Sequence, residues 1–223
     1  MYRLLVVILF MFSQFPESDW ELKKDKSGIE IYTRSVEGSS FAEFKGTVLI
    51  PNSNLSEVLE VILDVKNYDK LFPDTENPRV LKQDGKYYDI HQIEVKAPWP
   101  VKARDAIYEQ IAVIDNDGKH ALVTLKPLPD FAGESKGFVR IQKGTGFWEL
   151  TEDANHNVKV TYQFHGEPGG EIPAWLANSF VVTHPLKTLE NLTRKANGVT
   201  SVDIDKKINR IFVSFKYSIR LLT

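Results

Sequence analysis

The stretch "NVKVTYQFHGEPGG" at 157–170, with its continuation "EIPAWLANSFVVTHPLKTLENLTRKANG" at 171–198, decides the fold. In the first part Val158, Val160, Tyr162 and Phe164 alternate with Lys159, Thr161 and Gln163, the period of a strand with one buried face. Gly169 and Gly170 break it. In the second part Pro173 stands where a first helical turn tolerates proline and Gly198 where a helix stops, so about 25 residues read as one helix of roughly 37 Å. Trp175, Leu176, Phe180, Val182, Leu186 and Leu189 give that helix a broad apolar face that has to pack on something. Pro185 removes one backbone hydrogen bond and predicts a kink, with a carbonyl near Val181 left free. The stretch carries little catalytic chemistry and reads as a container rather than a reactor.

Working outward, 29–35 and 41–50 read as a hairpin around the turn signal "EGSS" at 37–40. Ser53 or Asn54 caps a short helix through Leu63, because Leu55, Val58, Leu59 and Ile62 fall on one helical face. Six further segments read as strands, at 79–83, 87–96, 103–114, 121–126, 138–143 and 147–151. Runs of strands with helices segregated to the ends predict an α+β fold with an antiparallel sheet. Gly144-Thr145-Gly146 lacks the rest of a dinucleotide fingerprint and reads as a bulge or bend.

With 223 residues, 42% hydrophobic and 26% charged, the chain can bury a real core in one domain. A formal net charge of −2 gives no basic field, so nucleic acid is not expected as a partner. There is no cysteine, hence no disulfide, thiolate or cysteine-ligated metal. The five histidines form no HExxH pattern and no G-x-S-x-G occurs, so no metal, cofactor or catalytic residue is nominated. Residues 1–18, "MYRLLVVILFMFSQFPES", have Arg3 before an apolar run, the outline of a signal peptide without a clear cleavage site. Export to a periplasmic or extracellular space follows if it is cleaved; otherwise the chain is cytoplasmic or membrane-associated. The tail 199–223 fits a basic amphipathic helix and an alternating strand equally well, which leaves its role open.

The run "PGGEIPAWLAN…PLKTLENL", together with "APWPVKARD" at 97–105 and "SGIEIYTRSVEGSSFAEFKG" at 27–46, resembles the bacterial type of START (steroidogenic acute regulatory related lipid-transfer) domain. The resemblance covers 20–197 and rests on three separated motifs in the right order. It implies a helix-grip fold, in which a curved antiparallel sheet wraps a long C-terminal helix around a hydrophobic tunnel. The resulting plan is an N-terminal segment at 1–18, a START-like domain at 19–198 and a tail at 199–223. The resemblance also implies a non-catalytic monomer that binds, and transfers, a lipid, sterol or similar hydrophobic small molecule, with transient membrane contact. The alternative on the same scaffold is a polyketide cyclase-like enzyme using Tyr108, His91 and Arg104. A third class, a ligand-sensing interaction module, would rely on the tail.

In a strand, Arg104 points opposite Asp105 and to the side of Ala106, Tyr108, Gln110, Ala112 and Ile114. The resemblance implies that this arginine lies inside the tunnel, paired to an acid on the preceding strand. Glu94 faces Arg104 in one register; a slip of one residue substitutes Val95 and brings Asp89 and His91 to the arginine's side. Glu94 is the expected partner. Arg104, Tyr108 and Glu94 are therefore the candidate polar anchors, while Trp148, Tyr162, Trp175 and Phe180 are candidate tunnel walls and His184 sits beside the Pro185 kink. The same residues also fit a plain core and an ordinary surface strand pair. Trp99, between Pro98 and Pro100, is expected in a stiff loop over a tunnel mouth or closing the end of the barrel, and Gly169-Gly170 as a hinge.

Overall fold

The computed structural model describes residues 19–198. The readings of 1–18 and 199–223 lie outside the described residues. In chain order the elements are β1 (Glu21–Lys26), β2 (Ile29–Arg34), β3 (Glu43–Ile50), α1 (Leu55–Leu63), a 3-10 turn (Val65–Asn67), α2 (Tyr68–Leu71) and β4 (Thr75–Gln83). Then come β5 (Tyr88–Val95), β6 (Arg104–Ile114), β7 (His120–Pro127), β8 (Val139–Arg140), β9 (Lys143–Glu152) and β10 (Val158–Glu167). The C-terminal helix comprises α3 (Ala174–Asn178), a π-helical turn (Ser179–Thr183) and α4 (His184–Ala196).

The strands form one antiparallel sheet in the order β1-β2-β3-β10-β9-β7-β6-β5-β4, with short β8 parallel to β6. The strand in 157–170 is its keystone, since β10 pairs with β3 on one side and β9 on the other and so joins the N-terminal strands to the rest. Its inward residues Val158 and Val160 are fully buried, as the alternation requires. Helix α4 packs against β2, β3, α1 and α2 through Leu186, Leu189 and Leu192, giving the α+β helix-grip architecture. Gly46 on β3 permits the close approach, because a Cβ there would stand 2.7 Å from Leu189 Cδ1 and 3.0 Å from Ile31 Cδ1. Asn54 is the cap of α1: its side chain accepts from the Glu57 N–H at 3.0 Å while the Glu57 carboxylate accepts from the Asn54 N–H at 3.1 Å.

Four expectations change. Strand β1 was not foreseen, because "ELKKDK" is an exposed edge with no alternation to read. Strand β4 starts at Thr75, ahead of the expected 79, with the irregularity that Asn77-Pro78 signals absorbed as a register shift between Glu76 and Arg79. The segment Gly144-Thr145-Gly146 is neither bulge nor bend: β9–β10 pairing runs unbroken from Val158↔Glu152 to Glu167↔Lys143. The glycines make room instead, since a Cβ at Gly144 would lie 2.9 Å from Phe164 Cζ and one at Gly146 2.5 Å from both the Gln163 carbonyl and Phe164 Cδ2. Finally, the long helix is not uniformly α. Pro185 has no N–H to offer Val181, and the chain answers with the π-helical turn, in which the His184 N–H donates to the Ser179 carbonyl. Pro185 then falls in the first turn of α4, where no donor is missed.

Candidate functional site

Between the inner face of the sheet, α2 and the C-terminal helix lies a cavity of about 180 Å³. Strands β3, β5, β6 and β10 supply one wall, and the π-helical turn with the start of α4 supplies the other. Most of the lining is apolar, with Phe44, Phe72, Phe164 and Val181 prominent. A π-helical turn at the wall sets Phe180, Val181 and His184 against the cavity together.

Its polar side is built on β5 and β6. The register pairs His91 with Tyr108 and Asp89 with Gln110, so four polar side chains face inward as neighbours. The His91 Nδ1 donates to Asp89 Oδ1 at 2.6 Å, since a carboxylate can only accept, and Gln110 Nε2 donates to Asp89 Oδ2 at 2.9 Å. The Tyr68 hydroxyl lies 2.8 Å from both Gln110 Oε1 and the Ile62 carbonyl. This network fixes the His91 ring through Nδ1; among the described residues Nε2 has no hydrogen-bond partner, and the ring lines the cavity. Tyr108 and Tyr162 also line the cavity, and among the described residues no hydrogen bond is made by either hydroxyl. Burial raises the pKa of both phenols, with the neighbouring Tyr108 adding to the rise at Tyr162, so each stays a neutral donor.

Arg104 lies at the β5–β6 end of the cavity and is 2% exposed. Its guanidinium donates to backbone carbonyls: Nε to Pro168 at 3.3 Å, Nη2 to Gly169 at 3.0 Å and Nη1 to Lys102. The arginine thus ties β6 to the loop that leads into α3. Burial lowers its pKa, and no acid opposes that shift. On the other face of the same strand, Asp105 is fully buried and pairs with Arg140, through Nε at 3.0 Å and Nη2 at 2.7 Å. Arg140 also donates to the carbonyls of Ala132 at 3.1 Å and Gly133 at 3.0 Å, which pins the long β7–β9 connection to the sheet.

Six of the sequence-nominated residues are brought to the cavity or its lining: Arg104, Tyr108, Tyr162, Phe180 and His184, with His91 from the enzyme alternative. His184 Nε2 stands 3.0 Å from Asp74 Oδ2 and so bridges the C-terminal helix to the loop before β4. Glu94 is not at the site. The observed register sets Val95 opposite Arg104 and Glu94 opposite Asp105, on the outer face, where Glu94 accepts from Asn77 Nδ2 at 2.6 Å. Trp148 also misses the lining: fully buried, it stacks flat on Tyr162 with centroids 3.8 Å apart and supports the wall from behind. Trp175 falls in α3, and its side chain lies outside the described residues. Sequence reasoning missed Thr75, Phe44 and Val181 as lining residues; Phe44 alternates inward on β3 and could have been found by the period alone.

The START domain family model matches residues 14–196. A STAR-related lipid transfer protein of Xanthomonas axonopodis, whose crystal structure is known, is 38% identical with a TM-score of 0.72, covering 80% of this chain and 99% of that one. An uncharacterized protein of Pseudomonas aeruginosa is 36% identical over 178 residues, 80% of this chain and 87% of its own. Human phosphatidylcholine transfer protein is 26% identical over 164 residues, 72% of this chain and 76% of its own.

Proposed function

We propose that this chain, which belongs to the START domain family, binds one hydrophobic molecule of the lipid class between its sheet and C-terminal helix and carries it between membranes without chemical change. The observation that carries this reading is the apolar cavity with unfilled hydrogen-bonding capacity at His91, Tyr108 and Tyr162. Left empty, about 180 Å³ would cost roughly 4 kcal/mol on the mutational scale. A bound ligand offsets that cost, and a few polar groups in an apolar shell fix its orientation. The names of the Xanthomonas and human relatives, both lipid transfer proteins, support the same reading.

Membrane contact fits the β5–β6 loop. Trp99 is 92% exposed there, with Lys96 and Lys102 on either side in sequence, a pairing of aromatic ring and cations suited to a lipid headgroup layer. The loop leads directly into Arg104 at the cavity wall. Mass spectrometry of the organic extract of the purified full-length protein, beside an equally treated unrelated protein, tests the carrier reading. A stoichiometric lipid is expected. An extract matching the control, with no uptake of lipid from mixed-lipid vesicles, would overturn it.

One observation favours a second reading, an enzyme of the cyclase type. The Asp89–His91 pair opens on the cavity with Tyr108 nearby, ring centroids 6.1 Å apart, an arrangement able to move a proton. A His91→Gln variant that converts a reactive polyketone chain as fast as the native protein would remove the ground for this reading.

A further inference from the structure

The Phe164 ring occupies ground that three neighbouring side chains would otherwise take. On the inner face of the sheet the β9–β10 register sets Phe164 opposite Gly146 and Gly166 opposite Gly144. A Cβ at Gly144 would stand 2.9 Å from Phe164 Cζ, one at Gly146 2.5 Å from Cδ2 and one at Gly166 2.7 Å from Cε1. Inward side chains on a strand stand roughly perpendicular to the sheet; a ring this close to three Cβ positions lies down along it instead. None of the three glycines has a positive φ, so the backbone conformation does not call for glycine at these positions. Gly146 also faces the Gln163 carbonyl at 2.5 Å, but at Gly166 the three nearest atoms all belong to the Phe164 ring. Phe44 stacks on that ring with centroids 6.3 Å apart, Tyr108 meets it edge-on at 6.0 Å, and all three side chains line the cavity.

The free space is small enough for the attitude of one ring to decide it. An engineered cavity of about 150 Å³ takes one benzene, so about 180 Å³ holds one apolar group of ring size, and a phenyl ring standing up from β10 would take most of that room. We propose that Phe164 is the specificity-determining residue of the cavity. Lying on the three glycines, it leaves space for a single apolar ring or a chain end of like size; raised, it fills that space itself. This inference rests on the reading of the cavity as the site of an apolar ligand and specifies the part of that ligand seated at the β9–β10 wall.

The test titrates benzene and n-butylbenzene calorimetrically into the full-length protein, the native chain beside Phe164→Ala, Gly166→Ala and the two combined. In Phe164→Ala the ratio of butylbenzene to benzene affinity is expected to rise about tenfold or more, since two newly buried methylenes suffice for that. In Gly166→Ala the methyl lifts the ring, and benzene affinity should fall about tenfold or more. The double variant should recover benzene binding, because no ring is left to lift. That recovery separates the proposal from a merely weakened strand, which a second core truncation would weaken further. A native ratio in Phe164→Ala, native benzene binding in Gly166→Ala, or a double variant no better than Gly166→Ala overturns the inference and leaves the carrier reading standing. Binding of neither probe to any of the four proteins also overturns it, and the lipid extract then decides the carrier reading separately. Should a variant not fold, proton NMR of the native protein with benzene decides instead. Overhauser contacts from the Phe164 ring to the α-protons of Gly144 and Gly166 on one side and to bound benzene on the other support the proposal; the lack of either set overturns it.

Discussion

Asp105 is the acid with most at stake, because it is fully buried and among the described residues Arg140 is its only charged partner. Burial pushes its pKa up, but hydrogen bonds from Arg140, Ser135 and Gln92 and the charge of Arg140 outweigh that and hold it below the usual 3.8. The unfolded chain therefore takes up the proton first as pH falls, so this group's stabilisation is complete above about pH 4 and is lost as pH drops through the folded pKa. Asp105→Ala leaves Arg140 buried and unpaired, and urea unfolding is expected to show a loss of about 3–5 kcal/mol. An Asp105→Leu, Arg140→Met double variant should lose clearly less, since no orphan charge remains. His184 has the same sense, over a higher pH window. Burial pushes its pKa below 6.5, Asp74 pulls it back up and Lys187 pushes it down again. Here too the unfolded state binds the proton more readily, so the contribution is full above about pH 6.5 and shrinks below it. In Asp74→Asn the upward pull is gone, and a proton NMR titration should find the His184 pKa lower than in the native protein; an unchanged value would show that the 3.0 Å contact with Asp74 is not populated in solution.

Gly46 decides how closely α4 can lie on the sheet. Gly46→Ala would drive a methyl to 2.7 Å from Cδ1 of Leu189, a fully buried side chain that must shift to admit it. Overpacking of this kind should cost about 1–3 kcal/mol, read as a lowered urea midpoint, and a midpoint equal to the native one would mean the helix sits further from β3 than described. The elements themselves were legible wherever one face is buried: β10, β6, β7 and α1 follow the periods of their apolar residues. Strand β1 was not, because both its faces are exposed, and β9 was truncated because Gly144 and Gly146 read as a break when they clear space for Phe164. At the site, the inward face of Arg104 and Tyr108 was legible from alternation. Its counterpart on β5 was not, because a single-residue register choice decides between Glu94 and Val95 and the connection at 96–103 does not betray it. The pairing of Arg140 with Asp105 had no local signal at all, coming from the two-residue strand β8, 35 residues further along the chain.

On the scale of the whole molecule, the sheet and α1 form a fixed frame while the C-terminal helix is held at the cavity by fewer devices. One is the loop at Gly169 and Gly170, both at positive φ, whose Gly169 carbonyl and Pro168 carbonyl are gripped by Arg104. The other is the His184–Asp74 contact between α4 and the loop before β4. A cavity of about 180 Å³ admits a lipid only if this wall moves, and the π-helical turn between α3 and α4 places a weaker hydrogen-bond ladder at the wall itself. The chain has no cysteine, so Asp74→Cys with His184→Cys gives a unique pair that a short, cleavable bifunctional reagent can join. Joining them is expected to slow uptake of a fluorescent acyl probe by about tenfold or more, and cleaving the reagent should restore the native rate. Protein loaded before joining should hold the probe correspondingly longer, because the same movement serves binding and release. Uptake as fast in the joined protein as in the cleaved one would place the opening on the sheet side of the cavity, between β4 and the β5–β6 loop, and would leave the C-terminal helix as a static wall.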